Sequence, residues 1–356
     1  MVASALRNRT AGLAARLTTP LVPADYLDLF APLCPGAQLR ARIVEVRRET
    51  DDAATVVLRV GRGWAGHLPG QWVRIGVDVD GVRHWRAYSL TSPPNSDRQL
   101  SITVKAVPDG RVSSYLVRSA VPGSIVQLDQ ATGDFVLPAR RPPRSLFVTA
   151  GSGITPVMGI LRNELDSLED VVVVHSAPTP NEVIFGAELR LLARQERIHL
   201  VERHTGTDGH FTPDQLIDVV PDWQDRETWA CGPAGLTDAL EVHWSAHGLP
   251  DHLHVERFQV EVMAASTDDG GAISFDRSNV TAVAGPTTPL LDAGEEAGVL
   301  LPSGCRMGIC FSCVTPLIGG AVRDMRTGAL TVAESGRPVL IQTCISAAAG
   351  HCHLDA

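Results

Sequence analysis

Between Leu39 and Leu137, apolar and polar residues alternate in short runs. The runs Ala41-Arg42-Ile43-Val44-Glu45-Val46, Thr55-Val56-Val57-Leu58-Arg59-Val60, Trp72-Val73-Arg74-Ile75-Gly76-Val77 and Leu100-Ser101-Ile102-Thr103-Val104 are rich in Val, Ile and Thr and are divided by Gly, Pro and Asp turns. A period of two turns one face of a strand to a core, and several such strands at short spacing predict an antiparallel barrel or sandwich. After Pro142-Pro143 the rhythm changes. Ser145–Thr149 reads as a strand that runs through a Gly-rich turn into a helical stretch reaching Leu168. Val171–Val174 is a buried strand, Glu188–Arg194 is helical, and Thr228–Cys231 leads through Gly232-Pro233 into another helix. Strands alternating with helices predict a parallel α/β domain, here ending near Phe258. Ser266-Thr267-Asp268-Asp269-Gly270-Gly271 reads as a linker. At the other end, Leu6, Leu13 and Leu17 have helical spacing and Pro20, Pro23, Pro32 and Pro35 close the segment. The expected division is a helical extension at 1–36, a β-barrel at 37–139, an α/β domain at 140–260, a linker at 261–271 and a last unit at 272–356.

Composition narrows the classes. With 356 residues, 44% hydrophobic and 20% charged, the chain is expected to fold into several domains and is neither a fibre nor a disordered tail. A formal charge of −9 offers no field for phosphate backbones, so nucleic acid is not an expected partner. The longest apolar run, Leu146–Leu161, is broken by Gly151, Gly153, Pro156 and Gly159, and no membrane span is expected. Arg7, Arg9 and Arg16 precede no continuous apolar stretch, so no secretory signal is read and a cytoplasmic location is expected, any membrane association being made through a partner. Seven cysteines, crowded toward the C-terminus, favour metal or cluster ligation over a disulfide framework.

Cys305, Cys310 and Cys313 form a C-x4-C-x2-C run, and Cys344 follows 31 residues later. That is the plant-type spacing of a [2Fe–2S] cluster. Three thiolates come from one tight loop, whose Gly304 and Gly308 let the backbone curl, and a fourth from a separate strand end. A zinc site competes, but zinc sites usually come as paired CxxC knuckles. Cys34 and Cys352 have no spacing partner. Residues 272–356 resemble a plant-type ferredoxin of the α+β, β-grasp class, with a hairpin through Ile273 and Val280, a helix near Leu290–Ala297, the cluster loop, and Cys344 before a final strand.

Four further motifs occur in a telling order. Arg86-Ala87-Tyr88-Ser89 resembles the R-x-Y-S motif of the ferredoxin–NADP reductase superfamily; alone, the tetrapeptide would fit an edge strand with a buried tyrosine. The resemblance implies that Arg86 binds a flavin phosphate, Tyr88 packs on the isoalloxazine and Ser89 approaches the flavin N5 as a catalytic group. Val107–Tyr115 resembles the second flavin segment, G-x-x-S entering a helix, with Gly110 and Ser113 in the motif and Ser114 where Asn is commoner. A helix start there favours a pyrophosphate, hence FAD over FMN. Gly151-Ser152-Gly153-Ile154-Thr155-Pro156 matches the family's G-x-G-x-T-P nucleotide loop. Cys231-Gly232-Pro233 matches the segment whose cysteine lies beside the reacting nicotinamide carbon. Phe258, in Glu256-Arg257-Phe258, corresponds to the chain end that returns to the flavin. For the nucleotide's ribose, the loop His175–Pro180 contains no acidic residue; Ser176 and Arg203 are candidates for a 2′-phosphate, which leans toward NADPH and leaves NADH open.

A hydride carries two electrons and a [2Fe–2S] centre accepts one, so the set is expected to run from NAD(P)H to FAD to cluster to an external acceptor. The chain has no oxygenase motif of its own and looks like the reductase component of a multi-component system. Taken whole, with Pro23–Phe30 and Val322–Gly328, it is similar to actinobacterial reductases that serve membrane di-iron desaturases and alkane hydroxylases. A Rieske-type or other soluble oxygenase is the alternative acceptor, and a redox-sensing [2Fe–2S] binding module is the alternative of another class.

Overall fold

The computed structural model describes residues 33, 39–79, 82–94, 98–108, 110–258, 270–304, 306, 308, 311–334 and 336–356. The proposed helical extension therefore lies almost wholly outside the described residues, as do 261–269 of the linker, Cys34, Cys305 and Cys310. The chain divides into two units, Met1–Phe211 with Ile217–Trp229 and Thr212–Leu216 with Ala230–Ala356.

The alternating segment forms a six-stranded antiparallel sheet, made of β1 (Arg40–Arg48), β2 (Ala53–Val60), β3 (Trp72–Val79), β4 (Val82–Ser89), β5 (Gln99–Lys105) and β6 (Ile125–Leu128) in the order β4-β3-β6-β1-β2-β5. Leu90, just past β4, bridges Ile102 of β5 and brings the two outer strands together into the expected barrel. Val56, Leu58, Val73, Ile75, Leu100, Ile102 and Leu116 fill its interior. The alternation is incomplete on β2 and β5: part of the second face of each is also buried, at Ala53 and Thr55 of β2 and at Ser101 and Thr103 of β5.

The α/β rhythm builds a five-stranded sheet. It contains β7 (Arg144–Ala150), β8 (Asp170–Ala177), β9 (His199–His204), β10 (Glu227–Cys231) and β11 (Leu253–Glu256) in the order β11-β10-β7-β8-β9, with β7, β8 and β9 parallel. Near-continuous Val runs in β8 suit a strand covered on both faces. A four-residue helix, α1 (Arg111–Ser114), belongs to the barrel; α2 (Ile154–Glu164), α3 (Gly186–Arg194) and α4 (Ala234–Ala246) belong to this second layer.

At the foot of the sheet the buried Arg226 donates two hydrogen bonds of 2.9 Å to Asp170 and bonds of 2.8 and 2.9 Å to Asp222. Its guanidinium holds the Asp222 carboxyl below the usual range. Both carboxylates are partly exposed, which tempers the cost of losing the pair. Arg226→Met should therefore lower unfolding stability by roughly 2–3 kcal/mol in denaturant titration at pH 7. Because Asp222 titrates below its unfolded value, its share of that stability is present above the ordinary carboxylate range and lost as pH falls through the lowered folded value, so the wild-type–variant gap should narrow in acid.

The C-terminal residues form a mixed sheet of β12 (Gly271–Phe275), β13 (Val280–Ala284), β14 (Val314–Asp324), β15 (Leu330–Ala333), β16 (Val339–Gln342) and β17 (Ser346–Leu354). The order is β13-β12-β17-β14-β15, with β16 paired to β14 and β12 parallel to β17. Helix α5 (Leu290–Glu296) buries Leu290 and Leu291 in a core shared with Ile273, Phe275, Leu317 and Leu354. Gly271, the last residue read as linker, is the first of β12.

Candidate functional site

Arg86, Tyr88 and Ser89 lie among the last four residues of β4, before the chain crosses to β5. Arg86 donates to its neighbour's carbonyl, Trp85 O, at 2.8 Å. Burial pushes the Tyr88 hydroxyl far up, against the pull of Arg86, so the ring stays neutral at any working pH. Ser89 is 3% exposed, and its hydroxyl has no partner among the described residues. A buried orphan hydroxyl is costly, roughly 1–3 kcal/mol, unless a bound group completes it.

Gly110 opens α1, which continues as a π-turn through Tyr115–Ser119. A side chain at Gly110 would meet Ser113 Oγ at 2.3 Å and Val107 Cγ2 at 2.5 Å, so only glycine fits. The Ser113 hydroxyl donates to Gly110 O at 3.3 Å and accepts from Val107 N–H at 3.3 Å; it closes its own turn. Ser114 is half-buried.

The nucleotide-type turn follows β7. Gly151 has φ +55° with nothing within 4 Å of where a Cβ would stand, an open cradle over the start of α2. Thr155 turns inward and donates to Ser152 O at 2.9 Å, and Pro156 sits buried in the first turn of α2. Glycines, a helix N-terminus and free space are what a pyrophosphate requires. Two residues absent from the motif reading join this turn to the flavin-type strand. A Cβ on Gly159 would stand 2.3 Å from Leu90 O, and Arg162, held by Glu188 at 2.6 and 2.9 Å, donates to Thr91 O at 2.7 Å. Gly159→Ala should cost about 1–3 kcal/mol by forcing α2 off the strand. A fall of Tm together with weakened flavin retention would register it, and an unchanged Tm would show that the helix is free to shift.

Ser176 of β8 and Arg203 of β9 are direct register partners on parallel strands and so share a face. Ser176 is buried, and Arg203 Nε is buried with no hydrogen-bond partner among the described residues. Glu202 lies on the opposite face, bonded to Arg190 at 2.9 Å.

In the second unit, Cys231 ends β10 fully buried, and Pro233 caps α4. Burial, then the charge of Glu256, pushes the Cys231 thiol well up, so it remains a neutral thiol. Arg257 is anchored to α4 by bonds of 2.8 Å to Thr237 Oγ1 and to Glu241 Oε2, which fixes the segment carrying Glu256 and the half-buried Phe258.

Of the four cysteines read as ligands, Cys313 and Cys344 are described. Their Sγ atoms are 3.2 Å apart. That is too long for a disulfide, about 2.05 Å, and close to the ~3.8 Å edge that two thiolates make on one tetrahedral metal at about 2.3 Å. The Cys344 thiol and nearby N–H groups pull Cys313 down to about 6. Its carbonyl accepts from Thr343 N–H at 3.2 Å, Thr343 Oγ1 at 3.1 Å and Thr315 Oγ1 at 3.4 Å, which ties the loop to β16 and β14. Arg326 lies near Cys344 and adds positive charge there. Arg306, in the loop, donates to Asp292 at 2.7 Å and also bonds Glu295 on α5. Cys352 sits buried in β17, its thiol pushed up to about 11 by burial. No helix among the described residues is long and apolar enough to cross a membrane.

Comparison with known proteins agrees with this geometry. Residues 40–137 match the oxidoreductase FAD-binding domain, and residues 273–349 match the 2Fe-2S iron-sulfur cluster binding domain. The chain is 49% identical to an NADPH oxidoreductase of Mycobacterium tuberculosis over 96% of its own length and 91% of the relative's. It is 31% identical, over 80% of its length and 87% of the relative's, to the ferredoxin reductase component of a 3-ketosteroid-9-alpha-monooxygenase of Mycolicibacterium smegmatis. Phthalate dioxygenase reductase shares the fold, with a TM-score of 0.66 at 22% identity over 90% of this chain and 98% of that one. The two domain matches and the identity over nearly the whole chain lead to one conclusion: the chain is a member of the FAD-binding oxidoreductases that carry a C-terminal [2Fe–2S] ferredoxin domain.

Proposed function

We propose that the chain is an NADPH-dependent reductase that delivers electrons singly to an oxygenase component. The observation that carries the nucleotide choice is the pairing of Ser176 with Arg203, whose buried Nε lacks a protein partner. A 2′-phosphate would give that guanidinium an acceptor and the serine hydroxyl a second one. The name of the Mycobacterium tuberculosis relative supports the same choice.

Bound FAD supplies the conversion of a two-electron hydride into single electrons, and the iron–sulfur centre supplies the outlet. The chain's own residues do the rest. Arg86 and the Gly110 turn offer donors to phosphate, Tyr88 offers a neutral ring, and Ser89 offers an unused hydroxyl. Gly151 and the start of α2 take the nucleotide's pyrophosphate, while Cys231 holds a neutral, fully buried thiol near the charge of Glu256. Cys305, Cys310, Cys313 and Cys344 would hold the cluster.

For the acceptor, relatives that reduce monooxygenases support an oxygenase, including a glycine betaine monooxygenase reductase subunit of Chromohalobacter salexigens at 28% identity. The membrane di-iron enzyme expected from the sequence is the narrower reading, and it rests on the whole-chain resemblance alone. Steady-state kinetics test the nucleotide: kcat/KM for NADPH should exceed that for NADH at least tenfold, and Arg203→Ala should reduce the NADPH value by about 10- to 100-fold with NADH little changed, the worth of a charged hydrogen bond. Equal values for the two nucleotides would overturn the choice. Stopped-flow mixing of the reduced protein with a Rieske-type oxygenase and with a membrane di-iron hydroxylase tests the acceptor by which one reoxidises the cluster within a turnover.

A further inference from the structure

The second face of β2 and β5 carries a polar patch that is covered. Thr91, Thr55, Thr103 and Ser101 are 0%, 1%, 4% and 6% exposed. Their hydroxyls are bonded in series. Thr91 Oγ1 donates to Ser101 O at 3.2 Å and lies 2.9 Å from Ser101 Oγ and 3.5 Å from Thr103 Oγ1, Thr103 Oγ1 lies 2.7 Å from Thr55 Oγ1, and Thr55 Oγ1 donates to Glu49 Oε1 at 2.6 Å. A single cross-strand Thr pair is ordinary sheet chemistry. A buried series that ends on a partly exposed carboxylate is not, because Val would pack such a face without the need to satisfy hydroxyls.

The series also has a direction. Each hydroxyl has one hydrogen, and a carboxylate only accepts. Thr55 gives its hydrogen to Glu49, so Thr103 must donate to Thr55, which leaves Thr103 free to accept when the one Thr91 hydrogen turns to it from Ser101 O. Every hydrogen along Thr91, Thr103 and Thr55 can point toward Glu49. The inner end lies near residues read for the flavin and the nucleotide: Thr91 stands two residues after Ser89, its carbonyl accepts from Arg162 of α2, and β5 packs against the Gly151–Gly153 turn. The outer end faces water beside Asp52, which accepts from Thr50 Oγ1 at 2.8 Å and pairs with Lys105 at 3.3 Å, while Arg48 donates to Asp51 O at 2.9 Å.

We propose that Thr91, Thr103, Thr55 and Glu49 conduct to solvent the proton left behind each time a nicotinamide is oxidised. The inference rests on the flavin and nicotinamide reading given above. Hydride is one proton with two electrons, and both electrons leave singly through a centre that takes no proton. One NADPH and two molecules of a one-electron acceptor therefore yield NADP⁺, two reduced acceptors and one proton, which starts in a buried site. A proton entering at Thr91 displaces that hydroxyl's own toward Thr103, then Thr55, then Glu49, which releases it to water; rotation of the hydroxyls resets the series.

The test uses the holoprotein with NADPH and ferricyanide in weakly buffered stopped flow, following proton release with an indicator dye and hydride arrival at the flavin absorbance. Thr55→Val and Glu49→Gln should slow proton release about tenfold or more while the hydride step is unchanged. Thr50→Val, outside the series, should alter neither. Electrochemically driven infrared difference spectra should contain a carboxylic C=O band that Glu49→Gln removes. Unchanged proton release in folded Thr55→Val and Glu49→Gln, or equal slowing of the hydride step, would overturn the proposal. Absence of flavin bleaching by NADPH in the unaltered protein would instead overturn the cofactor reading on which it stands.

Discussion

Cys344→Ala should yield a protein that keeps its flavin and loses its iron. The Cys344 sulfur stands 3.2 Å from that of Cys313, so its removal takes away one of two thiols converging on the same point, and three ligands do not close a [2Fe–2S] centre. Iron and sulfide content should fall to background, and electron delivery to a one-electron protein acceptor should drop about 100-fold or more, since the single-electron outlet is gone, while ferricyanide reduction at the flavin persists. Cys352→Ala is the matched control. Cys352 is fully buried in β17 opposite Ile273 and Gly320, where it behaves as a small apolar side chain, and its loss should cost about 1 kcal/mol of packing with the cluster intact. Cluster loss in Cys352→Ala with retention in Cys344→Ala would reassign the fourth ligand.

Ser89→Ala should separate stability from activity. Its hydroxyl is buried and makes no bond to the described protein residues, so deleting it removes an unmet polar group and should leave the apoprotein's Tm unchanged or raised. The rate of flavin reduction by NADPH should fall about 100-fold or more, the usual cost of removing one preorganised donor at a reacting centre. A serine that merely packed would give the reverse pattern, a lower Tm with normal flavin reduction. Gly159→Ala, by contrast, acts on how α2 meets the strand and should move Tm and flavin retention together.

The parts of the fold legible in the sequence were those with a period or a spacing. Alternation located four of the barrel strands, β1, β2, β3 and β5, and the motif at Arg86–Ser89 pointed to β4, while the four-residue β6, whose Ile125 is exposed, was too short to stand out from its turn. The cysteine spacing pointed to the cluster because ligand geometry constrains loop length directly. Motif residues were less transparent in role: Ser113 and Thr155 sit at motif positions, yet their hydroxyls shape their own turns. Contacts made by single residues left no trace at all. Gly159 resembles any glycine in a helical run until Leu90 O is found 2.3 Å from its missing Cβ, and Arg306 meets Asp292 and Glu295 only after α5 folds back on the loop. The hydroxyl series was hidden for a different reason, because Thr in a strand is also what β-propensity favours.

The most direct test of the redox chain is an anaerobic titration of the holoprotein with NADPH, read by visible absorbance for the flavin and by electron paramagnetic resonance for the cluster. The expected result is bleaching of the flavin followed by the signal of a reduced [2Fe–2S] centre, with electrons reaching the cluster in wild-type protein and stopping at the flavin in Cys344→Ala. A cluster that stays oxidised while the flavin is fully reduced, or a cysteine site holding zinc and giving no signal under dithionite, would contradict it.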